Sequence, residues 1–184
     1  MASQGPNSPG TTGSLALTGS NIVWSNTNNA KTSNNVYAEA VLDGLSYSNY
    51  LAVTNFGFAL PAGATILGVL VEIERYSNAV EGYAQDKSVK LIKGGAIQGT
   101  EKASASNWPS SDAYASYGGS ADLWGLTLTE ADVEASTFGV GIAVKGSNAD
   151  VSNSAFVDHI RITITYLSIT EHKVYVRYVH LVKA

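Results

Sequence analysis

Apolar and polar side chains alternate most regularly along residues 66–75. One set of alternate positions is large and apolar, and it consists of Leu67, Val69, Val71 and Ile73. The other set begins apolar and ends charged, and it consists of Ile66, Gly68, Leu70, Glu72 and Glu74. A period of two indicates a strand, because successive side chains leave a strand on opposite faces. Pro61 and Gly63 supply a turn before it. We therefore predict a half-buried strand that forms the central rib of its sheet.

Shorter alternating stretches predict further strands, separated by turns such as the one at Gly94-Gly95. These stretches are residues 20–24, 36–42, 50–60, 88–93, 138–144 and 156–166. The face of 138–144 that carries only Gly and Ala is bare, so another part of the chain is expected to approach it closely. Thr129 resembles a helix N-cap followed by acidic residues, which predicts one short helical turn. This pattern predicts an all-β fold, a jelly-roll-like antiparallel β-sandwich with extended N- and C-terminal arms.

The 184 residues suit one domain with a core of ordinary size. Residues 1–14 combine Gly, Pro, Ser and Thr without periodicity, so we expect a flexible or extended N-terminal arm. Such an arm is either disordered or ordered on a neighbouring subunit. Residues 15–167 are expected to form the β-sandwich domain, and residues 168–184 an additional C-terminal strand or arm.

Composition narrows the classes of function. Only 14% of the residues are charged and the net charge is -4, which argues against nucleic-acid binding because that needs clustered Lys and Arg. The chain has no Cys, so thiolate catalysis and cysteine-ligated zinc are excluded. No apolar run reaches the roughly 18 residues of a membrane-spanning helix, and the N-terminus lacks the pattern of a signal peptide. We expect no membrane partner.

Catalytic chemistry has one weak candidate. Glu72 and Glu74 share a strand face, so their carboxylates would lie about 7 Å apart, between the separations of retaining and inverting glycosidases. The favoured alternative is that both simply face solvent. His159, His172 and His180 are too far apart, or on the wrong faces, to converge on a metal ion. The sequence therefore predicts no enzyme, no metal site and no cofactor.

The segment 108–125 holds a candidate binding loop. Its aromatic and acidic residues stand among Ser, Gly and Ala, and they are Trp108, Asp112, Tyr114, Tyr117 and Trp124. Rigid rings with small polar spacers are the composition of adaptable binding loops, and flat rings also stack on sugars. The favoured alternative is that the tryptophans pin the loop to the core, since Trp is usually buried.

Arg75 and Asp158 are a candidate buried ion pair. Arg75 shares the face of Val71 and Ile73, and the alternation places Asp158 on the face of Ile160. A buried charge costs several kcal/mol unless it is paired. We expect the two residues to pair with each other or with a polar neighbour such as Asp86. The alternative is that each lies at a solvated strand end.

Several segments resemble a β-sandwich module that recurs in bacteriophage structural proteins, and related modules occur in large bacterial surface proteins. They are GPNSPG at residues 5–10, FGFALPAGATILGVLVEIER at 56–75, YASYGGSADLWG at 114–125 and VDHIRITITY at 157–166. The resemblance covers about residues 5–167 and includes no catalytic motif. It implies a virion protein on the surface of the phage head or a fibre, with the major capsid protein or another virion protein as partner, and a homo-oligomer, in the first place a trimer.

The chain departs from this module after Leu167. From there the only acid is Glu171, set against Lys173, Arg177 and Lys183. A basic, β-prone segment is expected either to add to a sheet edge of a neighbouring subunit or to pair as the last strand of its own sandwich. The candidate assembly strand consists of Lys173, Val174, Tyr175, Val176, Arg177 and Tyr178.

These features together predict a capsid decoration or cement protein that binds and stabilises the phage head. The alternative is a carbohydrate-binding or adhesin-like module of a phage fibre or bacterial surface protein, with a glycan as ligand. The two hypotheses differ in the surface that binds the partner, since the second assigns binding to the loop at 108–124.

Overall fold

A computed structural model of the protein describes residues 1–78 and 83–168. Within these ranges the chain forms ten strands, one short α-helix and one 3₁₀ turn. The strands are β1 (Ala2–Asn7), β2 (Thr11–Leu15), β3 (Ala38–Leu42), β4 (Tyr50–Thr54), β5 (Thr65–Ser77), β6 (Ala84–Lys93), β7 (Ala96–Gln98), β8 (Ala113–Gly118), β9 (Gly139–Gly146) and β10 (Asn153–Leu167). The helix α1 is Glu130–Glu134, and the 3₁₀ turn is Thr27–Ala30.

The strands form two antiparallel sheets that pack face to face around one core. The first sheet has the order β1-β10-β5-β8, with β3 also paired to β10, and the second has the order β2-β4-β9-β6-β7. The eight strands β3-β10-β5-β8 and β4-β9-β6-β7 have the order of a jelly roll, in which the chain crosses repeatedly between the sheets. The predicted all-β sandwich is confirmed, and β5 lies inside its sheet as expected of a central rib.

The inward side chains of β5 explain why the alternating pattern was informative. Val69, Val71 and Ile73 are fully buried against inward residues of the second sheet. Burying each such side chain contributes about 1.5–3 kcal/mol. The start of the strand departs from the simple alternation. A register irregularity between β5 and β10 turns Ile66 into the core and leaves Leu67 half-exposed.

The N-terminal segment corrects the expectation of an arm. Residues 1–14 are extended, but they pair with their own chain rather than with a neighbour or with nothing. β1 pairs with β10 at an edge of the first sheet, and β2 pairs with β4 at an edge of the second. Between them, Gly10 N donates to Asn55 O at 2.8 Å. The segment thus contributes a strand to each sheet.

Two local predictions are confirmed and one is wrong. Thr129 caps α1 in a capping box, in which its Oγ1 accepts from Asp132 N at 3.2 Å and its N donates to Asp132 Oδ2 at 2.9 Å. Gly94 and Gly95 form the two-residue turn between β6 and β7, both with positive φ. The expected strand at residues 20–24 is only an isolated bridge at Ile22, and Trp24 is instead fixed by burial and by its hydrogen bond to Asn49 O.

Candidate functional site

The aromatic loop does not present its tryptophans to solvent. Trp108, Trp124 and Tyr117 are buried in the core, with exposed fractions of 1%, 0% and 5%. Residues 113–118 of this segment are strand β8, and Trp124 Nε1 donates to Val69 O at 2.9 Å. The favoured alternative, that the tryptophans pin the segment to the core, is thus what the structure contains. The other two members of the candidate loop, Asp112 and Tyr114, are only partly buried.

The buried rings surround Arg75. Its guanidinium pairs with Asp86. The guanidinium carbon lies 4.4 Å from the centre of the Trp108 ring and 5.6 Å from the centre of the Tyr117 ring. Asp86 also accepts hydrogen bonds from Trp108 Nε1 at 2.8 Å, Tyr117 Oη at 2.9 Å and Ser104 N at 2.9 Å. Burial and the nearby Asp86 carboxylate raise the pKa of Tyr117, so the phenol stays protonated and donates. This cluster ties β5, β6 and β8 together inside the sandwich.

Asp158 is buried as predicted but does not pair with Arg75. Its carboxylate accepts from the backbone N–H groups of Asn34, at 3.0 and 3.2 Å, and of Asn35, at 2.9 Å. The reason is a β-bulge between Val157 and His159, which leaves Asp158 without an opposite residue on β5. The bulge breaks the alternation, so the side chain is bonded to the loop before β3. For Arg75, the polar neighbour named as an alternative, Asp86, is the partner.

Three rings lie at one end of the outer face of the first sheet. This face consists of the side chains of β3, β5, β8 and β10 that point away from the second sheet. Tyr76 and Phe156 are directly opposite on β5 and β10 and stack with ring centres 4.6 Å apart. Tyr37 packs edge-on against both, at 5.0 and 5.8 Å, and its Oη donates to Asp112 Oδ2 at 2.7 Å. That hydrogen bond raises the pKa of Tyr37.

A second row of side chains crosses the same face two residues further along β5. Tyr114, Glu74 and His159 are opposite one another on β8, β5 and β10. Tyr114 Oη is 2.9 Å from His159 Nδ1, and Ser8 Oγ is 2.9 Å from His159 Nε2. Burial lowers the pKa of His159 and raises that of Tyr114, so both side chains are neutral near pH 7. The hydrogen-bond chain fixes the segment after β1 to the sheet.

The third row consists of Glu72 on β5 and Arg161 on β10, which are directly opposite. Arg161 donates to both carboxylate oxygens of Glu72, at 2.9 and 3.0 Å, and its guanidinium lies 4.1 Å from the centre of the Tyr114 ring. The ion pair raises the pKa of Arg161. Glu72 is therefore held in an ion pair and is not a free carboxylate beside Glu74. We call Tyr37, Tyr76, Tyr114, Phe156 and Arg161 the outer patch.

A further cavity lies elsewhere, beside α1. It has a volume of about 570 Å³, and its lining includes Gly63, Leu128, Glu130 and Glu134. Glu130 Oε2 accepts from Gly63 N at 2.7 Å, and Glu134 Oε1 accepts from Leu60 N at 2.5 Å. Both carboxylates thus hold the turn before β5. In residues 1–78 and 83–168, no group of three or more His, Asp or Glu is placed to hold a metal ion.

The remaining expectations concern segments rather than single sites. No helix in the described part of the chain is long and apolar enough to cross a membrane. The candidate assembly strand at residues 173–178 lies outside the described residues.

Most of the outer patch was missed by sequence reasoning, although one signal existed. The alternation along β5 places Tyr76 on the same face as Glu72 and Glu74, which marks that face as more than a solvated one. No local pattern brings Tyr37 or Phe156 to Tyr76, because these residues are separated by 39 and 80 positions and meet only through strand pairing.

Comparison of the chain with models of protein families, with curated proteins and with solved structures gives no significant match.

Proposed function

We propose that this protein is a structural component of a bacteriophage particle, a decoration or cement subunit that binds the outside of the head. Its partner would be the major capsid protein or another virion protein, and its own state a homo-oligomer, in the first place a trimer. The work would be mechanical, because binding energy spread over many contacts would hold neighbouring capsid subunits together. The outer patch is the surface we assign to these contacts.

The composition and rigidity of the outer patch are the observation that carries this proposal. Tyr, Phe and Arg are enriched at protein interfaces, whereas the solvated face of a sandwich normally carries small or polar residues. Four rings and one guanidinium are held here by stacking, hydrogen bonds and an ion pair. Side chains that are already ordered lose little conformational entropy on binding, so such a surface favours a stable contact.

Two further observations support the proposal. The motifs at residues 56–75 and 114–125 resemble a module of phage structural proteins, and they form β5, β8 and the turns beside them. Jelly rolls occur in viral capsid proteins, but they also occur in lectins. Since a fold by itself does not select a function, the choice between these classes rests on the outer patch and the motifs.

Quantitative mass spectrometry of purified particles, made from the genome that encodes the chain, tests the proposal. Hundreds of copies per particle would establish a decoration protein, and a handful would indicate a fibre component instead. Absence of the chain from particles would overturn the proposal. Light scattering of the purified protein measures the oligomer, for which three copies are expected.

A glycan-binding role is the second candidate, and one observation favours it. The rings of the outer patch lie on a sheet face that points away from the core, and the partly exposed Asp112 lies beside them. Carboxylate acceptors next to aromatic rings are suited to sugar hydroxyls. A glycan array probed with the native protein and with Asp112→Asn tests this role. Signals that disappear in the variant would support it, and an array without signals would reject it.

A further inference from the structure

The described residues of the first sheet leave the outer edge of β8 open, as they do that of β1 at the other end. β8 is the last strand in the order β1-β10-β5-β8, so within residues 1–78 and 83–168 its outer backbone groups have no partner strand. On its inner face Ala113 is exposed and Ala115 is only partly buried, although Tyr117 is buried. An edge of this kind, with unpaired N–H and C=O groups and uncovered small apolar residues, accepts an added strand.

The outer face beside this edge is acidic. Glu72, Glu74 and Asp112 lie on β5 or just before β8, and Arg161 is the cation that compensates one of them. Glu74 Oε2 and Asp112 Oδ1 are buried without a hydrogen-bond partner in the described part of the chain. A strand added at β8 would therefore meet uncovered alanines on one face and, near the other, three carboxylates beside the single guanidinium of Arg161.

Residues 173–178 have the complementary pattern. Their sequence is KVYVRY, which has the length of β8 and a period of two. Val174, Val176 and Tyr178 fall on one strand face, and Lys173, Tyr175 and Arg177 fall on the other. On the basis of the proposed function, which requires contacts between subunits, we propose that this segment of a neighbouring copy adds antiparallel to the free edge of β8.

Alternation fixes the face that each side chain takes, and the equal length of the two segments then selects the register. When Lys173 lies opposite Gly118, Tyr175 lies opposite Ser116 and Arg177 opposite Tyr114. These residues share the outer face, which places Arg177 beside the Tyr114 ring and in the same row as Glu74, which lies one strand beyond Tyr114. Val174 and Val176 then cover the inner face. A shift by one residue would reverse both faces and put the two valines into solvent.

Chain length favours a neighbour over the same chain. Leu167 pairs with Thr65, whereas Gly118 pairs with Leu70, about 16 Å farther along β5. The position beyond β8 is also three strand spacings from β10, about 14 Å sideways, so the straight line is about 21 Å. The link from Leu167 to Lys173 spans about 20–22 Å only when it is fully extended, so a connection within one chain would have no slack. The turn at 119–122, bonded to Val69, also lies on that route.

Disulfide trapping tests the inference cleanly, because the chain has no cysteine of its own. Ser116→Cys and Tyr175→Cys are made in two separate proteins, one of which carries a tag that changes its mass. The proteins are mixed and oxidised, both in solution and after assembly on particles. A mixed disulfide that a reductant removes is expected, because opposite residues of paired strands bring their Cβ atoms within disulfide range. Val176→Cys is the matched control, since it points to the other face and is expected to give little mixed disulfide.

The other outcomes are equally informative. A double variant, Ser116→Cys with Tyr175→Cys, that closes only within one chain would overturn the neighbour in favour of the same chain. No disulfide in solution or on particles, or equal trapping by Val176→Cys, would overturn the strand addition itself. Neither result touches the proposed function, because the copy number of the protein in particles is measured separately.

Discussion

At the scale of single residues, the buried ion pair of Arg75 and Asp86 is the part of the core on which stability most depends. Arg75 has an exposed fraction of 5% and Asp86 of 3%, so each charge is buried and has the other as its counter-charge. Removing two charges from water costs several kcal/mol per ion, and only close pairing and full hydrogen bonding offset that cost. Asp86 meets this condition, since its two oxygens accept from Trp108, Tyr117 and Ser104 besides Arg75.

Asp86→Asn is expected to destabilise the protein by about 3 kcal/mol, because it leaves the Arg75 guanidinium buried without a counter-charge. The free energy of unfolding, measured by urea denaturation, gives the effect. The double variant Arg75→Met with Asp86→Leu is the control. It removes both charges and is expected to be clearly more stable than Asp86→Asn. A single variant as stable as the native protein would show that the pair is not essential.

His159 gives the protein a dependence on pH. Burial holds its pKa below the ordinary 6.5, an effect that Arg161 reinforces and that Glu74, Asp158 and Glu72 oppose. The unfolded chain therefore binds a proton more readily than the folded chain, so this contribution to stability is complete above pH 6.5 and is lost as the pH falls. The free energy of unfolding is measured at pH 7.5 and at pH 5.5. Its decrease between the two is expected to be larger in the native protein than in His159→Gln. Equal decreases would assign the dependence to other groups.

At the scale of elements, strict alternation is the signal that was reliable. β5, β9 and β10 were predicted because Val, Ile and Leu recur at every second position, which only a strand with one buried face requires. β1 and β2 were not predicted as strands, because GPN and TTGS carry no apolar period and both lie at sheet edges. Their pairing depends on partners such as Tyr166 and Tyr50, which no local pattern reveals.

Irregularities within strands explain the errors in the candidate sites. The bulge at Val157 and His159 adds one residue to β10, so counting by twos from Phe156 wrongly places Phe156 and Ile160 on the same face and hides that Asp158 has no partner on β5. The same bulge explains why Phe156 joins the outer patch while Ile160 lies in the core. The burial of Trp108 and Trp124 was anticipated from residue type alone. Their binding partners, Asp86 and Val69, were not, because they belong to other strands.

Close approach of the turn at 119–122 to β5 makes Gly68 essential to the edge of the first sheet. A Cβ at Gly68 would meet the backbone of Gly119, Ser120 and, at 2.6 Å, the nitrogen of Ala121. Gly68→Ala is therefore expected to displace the turn and to lower the free energy of unfolding by about 2–3 kcal/mol. Gly13→Ala in β2 is the matched control, because nothing lies within 4 Å of its Cβ. Thermal denaturation of both measures the difference. A neutral Gly68→Ala would show that the turn moves freely.

At the scale of the whole molecule, the two faces of the first sheet have separate tasks. The inner face carries the core and the Arg75 cluster, so substitutions there change stability. The outer face carries the outer patch, whose rings contact one another and one guanidinium rather than the core. Because the two sets of side chains alternate along the same strands, the surface can be altered without reaching the interior. This separation allows the proposed function to be tested apart from folding.

The double variant Tyr76→Thr with Phe156→Thr removes the stacked rings of the outer patch and keeps β-branched residues in both strands. Central aromatic residues of an interface typically contribute 2 kcal/mol or more, which corresponds to a loss of affinity for capsids of about 30-fold. Cosedimentation with capsids that lack the protein measures this loss. Lys90→Thr, opposite Gly141 on the outer face of the second sheet, is the control and is expected to bind like the native protein. Circular dichroism confirms that each variant is folded. Unchanged binding by a folded double variant would move the capsid contact away from this face, since the rings cannot be both its centre and dispensable.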